Sequence, residues 1–421
     1  MNRFVKTLIL VLATLLIGYV ASSTIYLLRF PSEIKMTENA THNLNFGLPL
    51  WGFFEGETAS VAKINSQPIT EDFGFRLNTP VTVSTGTEGS AELALGLPGL
   101  PIRRIVLDVV PDIKLIPLGT AIGVRINTDG VMVLGTGSFL GTDGETHRPA
   151  DNILKSGDLI TEINGIQMKN KEMLSELIAN STGDIVISLT RDGQEMTVKV
   201  TPQINITDNV RRIGVWVRDS TKGIGTLTYF DPASDTFGAL GHGIIDVDTK
   251  KLMSVRDGTI MPSNVTSVQR GERGSPGELE GEVNTSETLG LITSNTPIGV
   301  YGTLTRRARD KIADQQPIPI ALRSHITEGP ATILTTVSDN ETREVDIVIE
   351  SVNRNTSDET KGMVIRVTDK EFLKITGGIV QGMSGSPIIQ NGRLAGAVTH
   401  VFVQDPTRGY GIFIESMLGL Q

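Results

Sequence analysis

The sequence predicts a mainly β protein of several domains behind an N-terminal transmembrane helix. A chain of 421 residues is long enough for two or three domains. Its 45 glycines are spread among short runs rich in Val, Ile and Leu, a pattern typical of turn-rich β domains. Residues 7–28 are uncharged and apolar or weakly polar throughout, which suits a membrane-spanning helix.

The uncharged stretch from Thr7 to Leu28 determines the predicted location. About 20 such residues can span a bilayer, and Arg3 and Lys6 precede them. The positive-inside rule then places residues 1–6 in the cytoplasm and everything after about residue 30 outside it. A cleaved signal peptide is the alternative, because Ala21-Ser22-Ser23 offers small residues. We expect a retained anchor, because the apolar stretch is longer than a typical signal core.

Residues 31–102 are predicted to be a membrane-proximal region of small β structure or linker. Short apolar runs are interrupted there by prolines, and no catalytic constellation is visible. A stalk and a small β domain both fit this pattern.

Charge and composition exclude several classes of function. The formal net charge is −9 and the body of the chain has no Lys/Arg-rich run, so nucleic acid is not an expected partner. The absence of cysteine excludes disulfides, thiolate zinc sites and a cysteine nucleophile. No ligand cluster suggests a metal or an organic cofactor, and we expect neither.

Residues 103–202 have the order of elements of one compact domain. Gly157-Asp158-Leu159-Ile160 is followed by a predicted helix, Lys169 to Asn180, and by a hairpin. This order resembles the PDZ domains attached to bacterial proteases. The resemblance implies a peptide bound as an added strand beside that helix, with Ile122, Gly123 and Val124 in the carboxylate-binding turn. The alternative is a groove that a segment of the same chain fills.

The hexapeptide Gly382-Met383-Ser384-Gly385-Ser386-Pro387 has the features of a nucleophile loop. A tight turn exposes the serine Oγ, while the N–H groups of Gly382 and Ser384 are placed to bind an oxyanion. The segment resembles the Gly-Asp-Ser-Gly-Gly-Pro loop of chymotrypsin-like serine proteases. The resemblance implies that residues 210–421, rich in short β runs, form a double β-barrel. A surface turn between two core strands is the alternative.

A serine nucleophile needs a base, and the chain has five histidines, at positions 42, 147, 242, 325 and 400. His242 lies between two glycines at a predicted strand end, well before Ser384, and is the predicted base. His325 and His400 are weaker candidates, interpreted as solvent-facing or locally hydrogen-bonded imidazoles. The acid that orients the base stays open at this point, and its candidates are Asp231, Asp235, Asp246, Asp248 and Asp369.

Taken together, the anchor, the PDZ-like region, Leu240-Gly241-His242-Gly243 and the Ser384 loop resemble the stage IV sporulation protein B peptidases of endospore-forming bacteria. The resemblance implies a triad of His242, Asp369 and Ser384. Asp369 is chosen by resemblance alone, and it lies closer to the serine than the acid of ordinary chymotrypsin-like enzymes does.

The same resemblance implies a specific role. Such a peptidase acts in the intermembrane space of the forespore, cleaves itself within about residues 31–80, and cleaves a regulatory membrane protein. That cut releases an intramembrane protease, which matures a late mother-cell sigma factor. The expected partners are therefore protein substrates, a peptide in the PDZ groove, and the membrane. A membrane-tethered PDZ scaffold without proteolysis and a broad-specificity quality-control protease are the alternatives.

Overall fold

The computed structural model describes residues 32–47, 50–55, 61–68, 74–97, 100–337 and 341–420, together with Leu10, Thr14 and Gly18. The chain divides into two compact units, Met1–Ile113 and Lys114–Gln421.

One element of the predicted fold class needs correction. Among the described residues, no helix has the length and apolar character needed to cross a membrane. The longest helix with stated bounds, Lys171–Ala179, has 9 residues, whereas a span needs about 20. The predicted transmembrane helix is therefore removed from the fold class. Apart from Leu10, Thr14 and Gly18, the segment on which it rested lies outside the described residues.

The first unit is a packed β structure. Its described strands are β1 (Glu33–Thr37), β2 (Thr41–Leu44), β3 (Trp51–Glu55), β4 (Ala62–Ile64), β5 (Gln67–Pro68), β6 (Gly74–Arg76), β7 (Val81–Thr85), β8 (Gly89–Leu97) and β9 (Leu100–Val110). They form two sheets, ordered β1-β9-β8-β3-β6 and β2-β7-β4-β5. Phe46, Phe54, Leu77 and Leu95 are buried in a core that these strands share. This part of the chain is thus a small β domain that extends to Ile113.

The second unit contains the remaining strands and the short helices. Its strands are β10 (Lys114–Thr136), β11 (Phe139–Leu140), β12 (Thr146–His147), β13 (Leu159–Ile163), β14 (Ile166–Gln167), β15 (Ile185–Arg191), β16 (Gln194–Val200), β17 (Gln203–Ile204), β18 (Arg211–Arg212), β19 (Val215–Asp231), β20 (Thr236–Ala239), β21 (Asp257–Gln269), β22 (Glu278–Val283), β23 (Gly290–Thr296), β24 (Gly299–Leu304), β25 (Ile318–Pro319), β26 (Gly329–Thr336), β27 (Thr342–Val352), β28 (Met363–Val367), β29 (Pro387–Gln390), β30 (Arg393–Val401) and β31 (Arg408–Phe413). Its α-helices are α1 (Lys171–Ala179), α2 (Arg306–Ile312), α3 (Lys370–Thr376) and α4 (Ile414–Met417), and Glu359–Lys361 is a 3₁₀ turn.

Two β-barrels make up most of the second unit. In the first, the strand order is β10-β19-β20-β24-β23-β21, and pairing of β10 with β21 closes the sheet. The second is a closed barrel of order β26-β27-β28-β31-β30-β29. Strand β27 shows the sequence rule behind them, because Val345, Ile347 and Ile349 point inward while the exposed Glu344 and Asp346 alternate with them. The predicted double β-barrel is present.

The PDZ domain is inserted into the first barrel instead of preceding it. Strands β10 and β19 pair within the barrel as far as Asn127 and Ser220, and they pair again from Met132 and Arg218 onward. Residues 128–219, which we call the inserted domain, lie between these two stretches. Helix α1 covers its sheet, burying Leu174 and Ile178 in a separate core. The predicted ranges 103–202 and 210–421 differ from these boundaries, because both domains share two long strands.

Candidate active site

A cleft with a volume of about 860 Å³ brings together the predicted nucleophile and the predicted base. Its lining includes His242, Gly382, Ser384 and His400. His242 follows β20 of the first barrel, whereas Ser384 lies between α3 and β29 of the second. The two groups are 142 positions apart in the sequence and meet only because the barrels pack side by side.

The Ser384 loop is hydrogen-bonded to the first barrel through Thr226. The Thr226 N–H donates to the Ser384 carbonyl at 3.0 Å, and its hydroxyl donates to the Gly382 carbonyl at 2.9 Å. Gly385 has a φ of +99°, and a Cβ there would lie 2.2 Å from the Thr226 carbonyl oxygen. Both the backbone conformation and the close approach therefore require glycine.

The backbone around Ser384 offers two hydrogen-bond donors to the cleft. Neighbouring N–H groups are used internally, since Met383 donates to Val380 and Gly385 to Val398. Within the described residues, the N–H groups of Gly382 and Ser384 donate to no protein acceptor. A pair of such donors beside a nucleophile can stabilise the negative charge of a tetrahedral intermediate.

The Ser384 hydroxyl is hydrogen-bonded to a backbone carbonyl and not to His242. It donates a hydrogen bond of 2.7 Å to the Thr399 carbonyl on β30. A change of side-chain rotamer is needed before Oγ can give its proton to the imidazole.

The His242 ring is held in the tautomer that a general base requires. Its Nδ1 lies 2.9 Å from the Gly243 carbonyl oxygen, which can only accept, so Nδ1 carries the proton and Nε2 is free. Burial lowers the pKa of His242 below its ordinary value, against the raising effect of the Gly243 contact. The ring is therefore neutral at physiological pH and able to accept a proton.

A second imidazole packs against the first. The ring centroids of His242 and His400 are 5.0 Å apart. Burial and the nearby His242 lower the pKa of His400 to about 4. The sequence interpretation of His400 was a solvent-facing or locally hydrogen-bonded imidazole. The residue lies on β30 and remains partly exposed to solvent, but nothing in its local sequence indicates the partner ring in the other barrel.

Asp369 lies elsewhere in the second barrel. Its carboxylate accepts from the Phe372 N–H at 2.8 Å, which caps the N-terminus of α3, and it pairs with Arg343 at 3.3 Å. It is not part of the cleft lining. The structure thus brings Ser384 and His242 into one cleft but does not bring Asp369 to them.

The other candidate acids are also engaged away from the imidazole. Asp231 accepts from the Ala233 N–H at 2.9 Å, Asp235 pairs with Arg309 at 2.7 Å, and Asp246 and Asp248 pair with Arg218. Within the described part of the chain, His242 has no carboxylate as a hydrogen-bond partner, and the Gly243 carbonyl takes that position.

The predicted carboxylate-binding residues lie in the barrel instead of the groove. Ile122, Gly123 and Val124 belong to β10, where they pair with β19 on one side and β21 on the other. No edge is left there for an added peptide strand. Ile122 is fully buried in the core of the first barrel.

A groove of the expected kind lies beside α1. One wall is formed by Leu174, Ser175 and Ile178, and the other by residues 211–217. Its volume is about 300 Å³. The motif Ile213-Gly214-Val215 repeats the pattern of Ile122-Gly123-Val124, so the signal was present in the sequence at a second place. Pattern alone could not choose between the two copies.

Comparison with known proteins assigns the family. A model described as SpoIVB peptidase S55 matches residues 208–418, which is half of the chain. The chain belongs to the SpoIVB peptidase S55 family. It is therefore a serine peptidase, as the Ser384 loop predicts. No curated protein matches the chain significantly.

Two solved structures are similar to parts of this S55 peptidase. The PDZ domain of the SdrC-like protein from Listeria monocytogenes is 23% identical, with a TM-score of 0.18; the match covers 21% of this chain and 87% of that one. The inactive form of the Rv3671c protease from M. tuberculosis is 13% identical, with a TM-score of 0.27; the match covers 47% of this chain and 81% of that one.

Proposed function

We propose that the chain is an endopeptidase that uses Ser384 as nucleophile and His242 as general base. The observation that supports this most directly is the cleft in which Ser384, the two unused N–H groups and the neutral His242 ring meet. The family resemblance implies that Asp369 is the acid of the triad. Because Asp369 caps a helix in this structure, that role stays a prediction based on the resemblance.

The reaction is amide hydrolysis through an acyl-enzyme. Ser384 Oγ forms a bond to the scissile carbonyl carbon as its proton passes to His242 Nε2, and the N–H groups of Gly382 and Ser384 bind the oxyanion. Collapse breaks the C–N bond, and His242 gives the proton to the leaving amine. Water then attacks the ester with His242 again as base, which releases the acid and restores Ser384. Each oxyanion donor contributes about 3 kcal/mol to lowering the barrier.

The test is fragmentation of the full chain over time, followed by intact mass. Wild type is compared with Ser384→Ala and His242→Gln, and Ser386→Ala is the control, because Ser386 is buried two residues from the nucleophile. We expect cutting in wild type and Ser386→Ala only. Equal cutting in Ser384→Ala would exclude this serine as nucleophile. If all the proteins are folded, stay whole and leave an added protein substrate uncut, the result would favour a binding scaffold without proteolysis.

We also propose that the enzyme is a sporulation signalling peptidase that acts outside the cytoplasm, cleaves itself within residues 31–80 and cleaves a regulatory membrane protein. The family assignment supports this role. The test replaces the gene in its sporulating host with the Ser384→Ala form. We expect maturation of the late mother-cell sigma factor to stop while the protein persists; normal maturation would contradict the role. Degradation of many unfolded proteins by wild type would instead indicate quality control.

The cleft lining points to a substrate class. Its walls include the apolar side chains of Ile244, Ile245 and Leu252. It also carries three lysines, at positions 222, 250 and 361, and one aspartate, Asp358, on a chain of net charge −9. We infer that the preferred substrate is an extended segment with apolar side chains next to an acidic one.

Charge reversal tests this preference. Two peptides that differ only by Asp or Asn at one position are compared as substrates of Lys250→Glu, with Lys199→Glu on β16 as control. We expect Lys250→Glu to lower kcat/KM for the Asp peptide by about threefold to tenfold and to leave the Asn peptide nearly unchanged. Equal effects on both peptides would contradict the inference.

A further inference from the structure

A hairpin directly after His242 forms one wall of the cleft. This histidine hairpin, residues 243–253, is closed by the Ile245–Leu252 bridge and by the Met253 N–H, which donates to the Ile244 carbonyl at 3.0 Å. Asn295 fixes its base to the first barrel, accepting from the Ile244 N–H at 2.8 Å and donating to the Met253 carbonyl at 2.8 Å. The position of the His242 ring is therefore tied to the position of this hairpin.

A buried carboxylate holds the turn of the hairpin. Asp246 is 1% exposed, and its Oδ1 accepts from the N–H groups of Asp248 at 3.0 Å and Thr249 at 2.8 Å. Its Oδ2 accepts from Arg218, which also pairs with Asp248 at 2.9 Å. A carboxylate this deeply buried needs its partner, because removal of Arg218 would leave Asp246 buried without its ion pair.

Arg218 connects the hairpin to the peptide groove. It lies on β19 directly after Val217, and residues 211–217 form one wall of the groove beside α1. The inserted domain makes a second contact with the hairpin, where Lys251 Nζ donates to Asp192 at 2.8 Å and lies 3.4 Å from the Gly157 carbonyl. The hairpin thus rests on the first barrel at its base and on the inserted domain at its turn.

We propose that Arg218 and Asp246 are positioning residues for His242, and that through them a peptide bound along residues 211–217 alters catalysis. The proposal rests on the proposed function of His242 as base. The Arg218–Asp246 pair fixes the position of the histidine hairpin, and the hairpin fixes the position of the His242 ring. Because the same strand carries both Arg218 and the groove wall, a peptide that pairs with the wall shifts the guanidinium and the hairpin together. The coupling is reciprocal, so a ligand in the cleft changes the affinity of the groove.

The test uses Asp246→Asn and Arg218→Lys in the full chain. Glu415→Gln is the matched control, because Glu415 is a fully buried carboxylate that pairs with Arg323 at 3.0 Å in the second barrel. Cleavage of a peptide substrate gives kcat and KM, and imidazole NMR of His242 gives its tautomer and titration. Urea unfolding gives the stability of each variant.

We expect Asp246→Asn to lower kcat by about 10- to 100-fold with little change in KM, as for a misplaced catalytic group. The His242 titration should move in the same variant. Arg218→Lys should be intermediate, because one ammonium cannot span both aspartates as the guanidinium does. Glu415→Gln should lose stability without moving kcat or the His242 signals.

Three outcomes would overturn the proposal. One is a stability loss in Asp246→Asn with unchanged kcat and unchanged His242 titration, which indicates a purely structural pair. Another is an equal change of kcat in wild type and in Arg218→Lys when a peptide binds along residues 211–217. The third applies if Asp246→Asn does not fold: Arg218→Lys with the kcat and the His242 titration of wild type would then contradict the proposal. Cleavage that persists in His242→Gln would instead refute the assignment of His242 as base. It would not bear on the Arg218–Asp246 ion pair.

Discussion

At the scale of single residues, the site is held in a resting arrangement. The Ser384 hydroxyl donates to Thr399 instead of His242, and the Gly243 carbonyl orients the imidazole in the manner usually supplied by a carboxylate. The two unused N–H groups and the neutral ring are already in place. The Ser384 hydroxyl must therefore leave the Thr399 carbonyl before His242 can take its proton.

The acid limb of the pH profile should depend on the ring that covers His242. A base with a lowered pKa stays neutral below its ordinary value of 6.5, so kcat/KM should persist to lower pH than an exposed histidine allows. Because burial is the cause, His400→Ala should admit water and move the acid limb of kcat/KM to higher pH. His400→Phe, which keeps the ring, should leave it near the wild-type position. A shift that is the same in both variants would contradict this account.

Gly385 should be the least replaceable glycine in the nucleophile loop. An added methyl group would meet backbone atoms of Thr226 and Leu240 at 2.2 and 2.6 Å, and backbone cannot move aside as a side chain can. We expect Gly385→Ala to abolish cleavage and to lower the unfolding free energy in urea by several times the roughly 1 kcal/mol expected for a simple positive-φ glycine. Gly392→Ala is the control, since Gly392 has a φ of +72° and no atom near the new methyl group. Equal losses in the two variants would contradict the close approach.

At the scale of elements, the N-termini of the short helices give several polar residues a local role. Helices α1, α2 and α3 are capped at their N-termini by Asn170, Thr305 and Asp369, each of which accepts from a backbone N–H of the first turn. Capping is a sufficient local reason for an aspartate at position 369. Sequence resemblance and element geometry therefore give Asp369 different roles. The two roles predict different effects when this residue is substituted.

Two substitutions of Asp369 separate the cap from the triad acid. Asparagine caps helices about as well as aspartate does, whereas alanine costs about 1 kcal/mol of stability. From the structure we expect Asp369→Asn to keep cleavage within a few-fold of wild type and Asp369→Ala to lose stability, with Thr305→Ala on α2 as control for loss of a cap. A triad acid predicts instead a loss of about 10⁴ in kcat for Asp369→Asn. Steady-state kinetics and urea unfolding measure both.

At the scale of the whole molecule, two long strands join the peptide-binding and catalytic parts of the second unit. Strand β10 runs from the first barrel into the inserted domain, and β19 runs from the inserted domain back into the barrel. Neither connection is a flexible linker. A domain connected by two continuous strands transmits a displacement more directly than one attached by a single linker does. The first unit, with its own core, is a separate compact body.

Removal of the inserted domain should leave the barrels folded but impair catalysis. Asn127 and Ser220 face each other in register, so an Asn-Gly turn in place of residues 128–219 can close the β10–β19 hairpin. The first-barrel core, which includes Ile122, Ile260 and Val300, stays complete. We expect a cooperative urea transition and a fall in kcat of at least tenfold, because the histidine hairpin loses its contacts with Arg218 and Asp192. Wild-type kcat in this variant would show that the hairpin needs no support.

The local part of the architecture could be predicted from the chain. Apolar residues at every second position specify strands, and the Gly-rich turn around Ser384 specifies a nucleophile loop, because both depend on neighbours within a few residues. The mainly β fold followed from such signals, whereas the PDZ domain, the double barrel and the serine peptidase activity followed from the resemblance of short motifs to known families. The predicted transmembrane helix was wrong, because no helix among the described residues is long and apolar enough to cross a membrane.

Tertiary structure decided what depends on contacts between distant segments. Only the pairing of β10 with β19 shows that the inserted domain lies inside the first barrel and that Ile213-Gly214-Val215, not Ile122-Gly123-Val124, lies along the groove. Only barrel packing places His400 against His242 and leaves Asp369 at the start of α3. Sequence by itself determined which residues have the chemistry of a serine peptidase. Which of them meet was decided by strand register and barrel packing, because hydrogen-bond ladders and buried contacts join positions that share no local pattern.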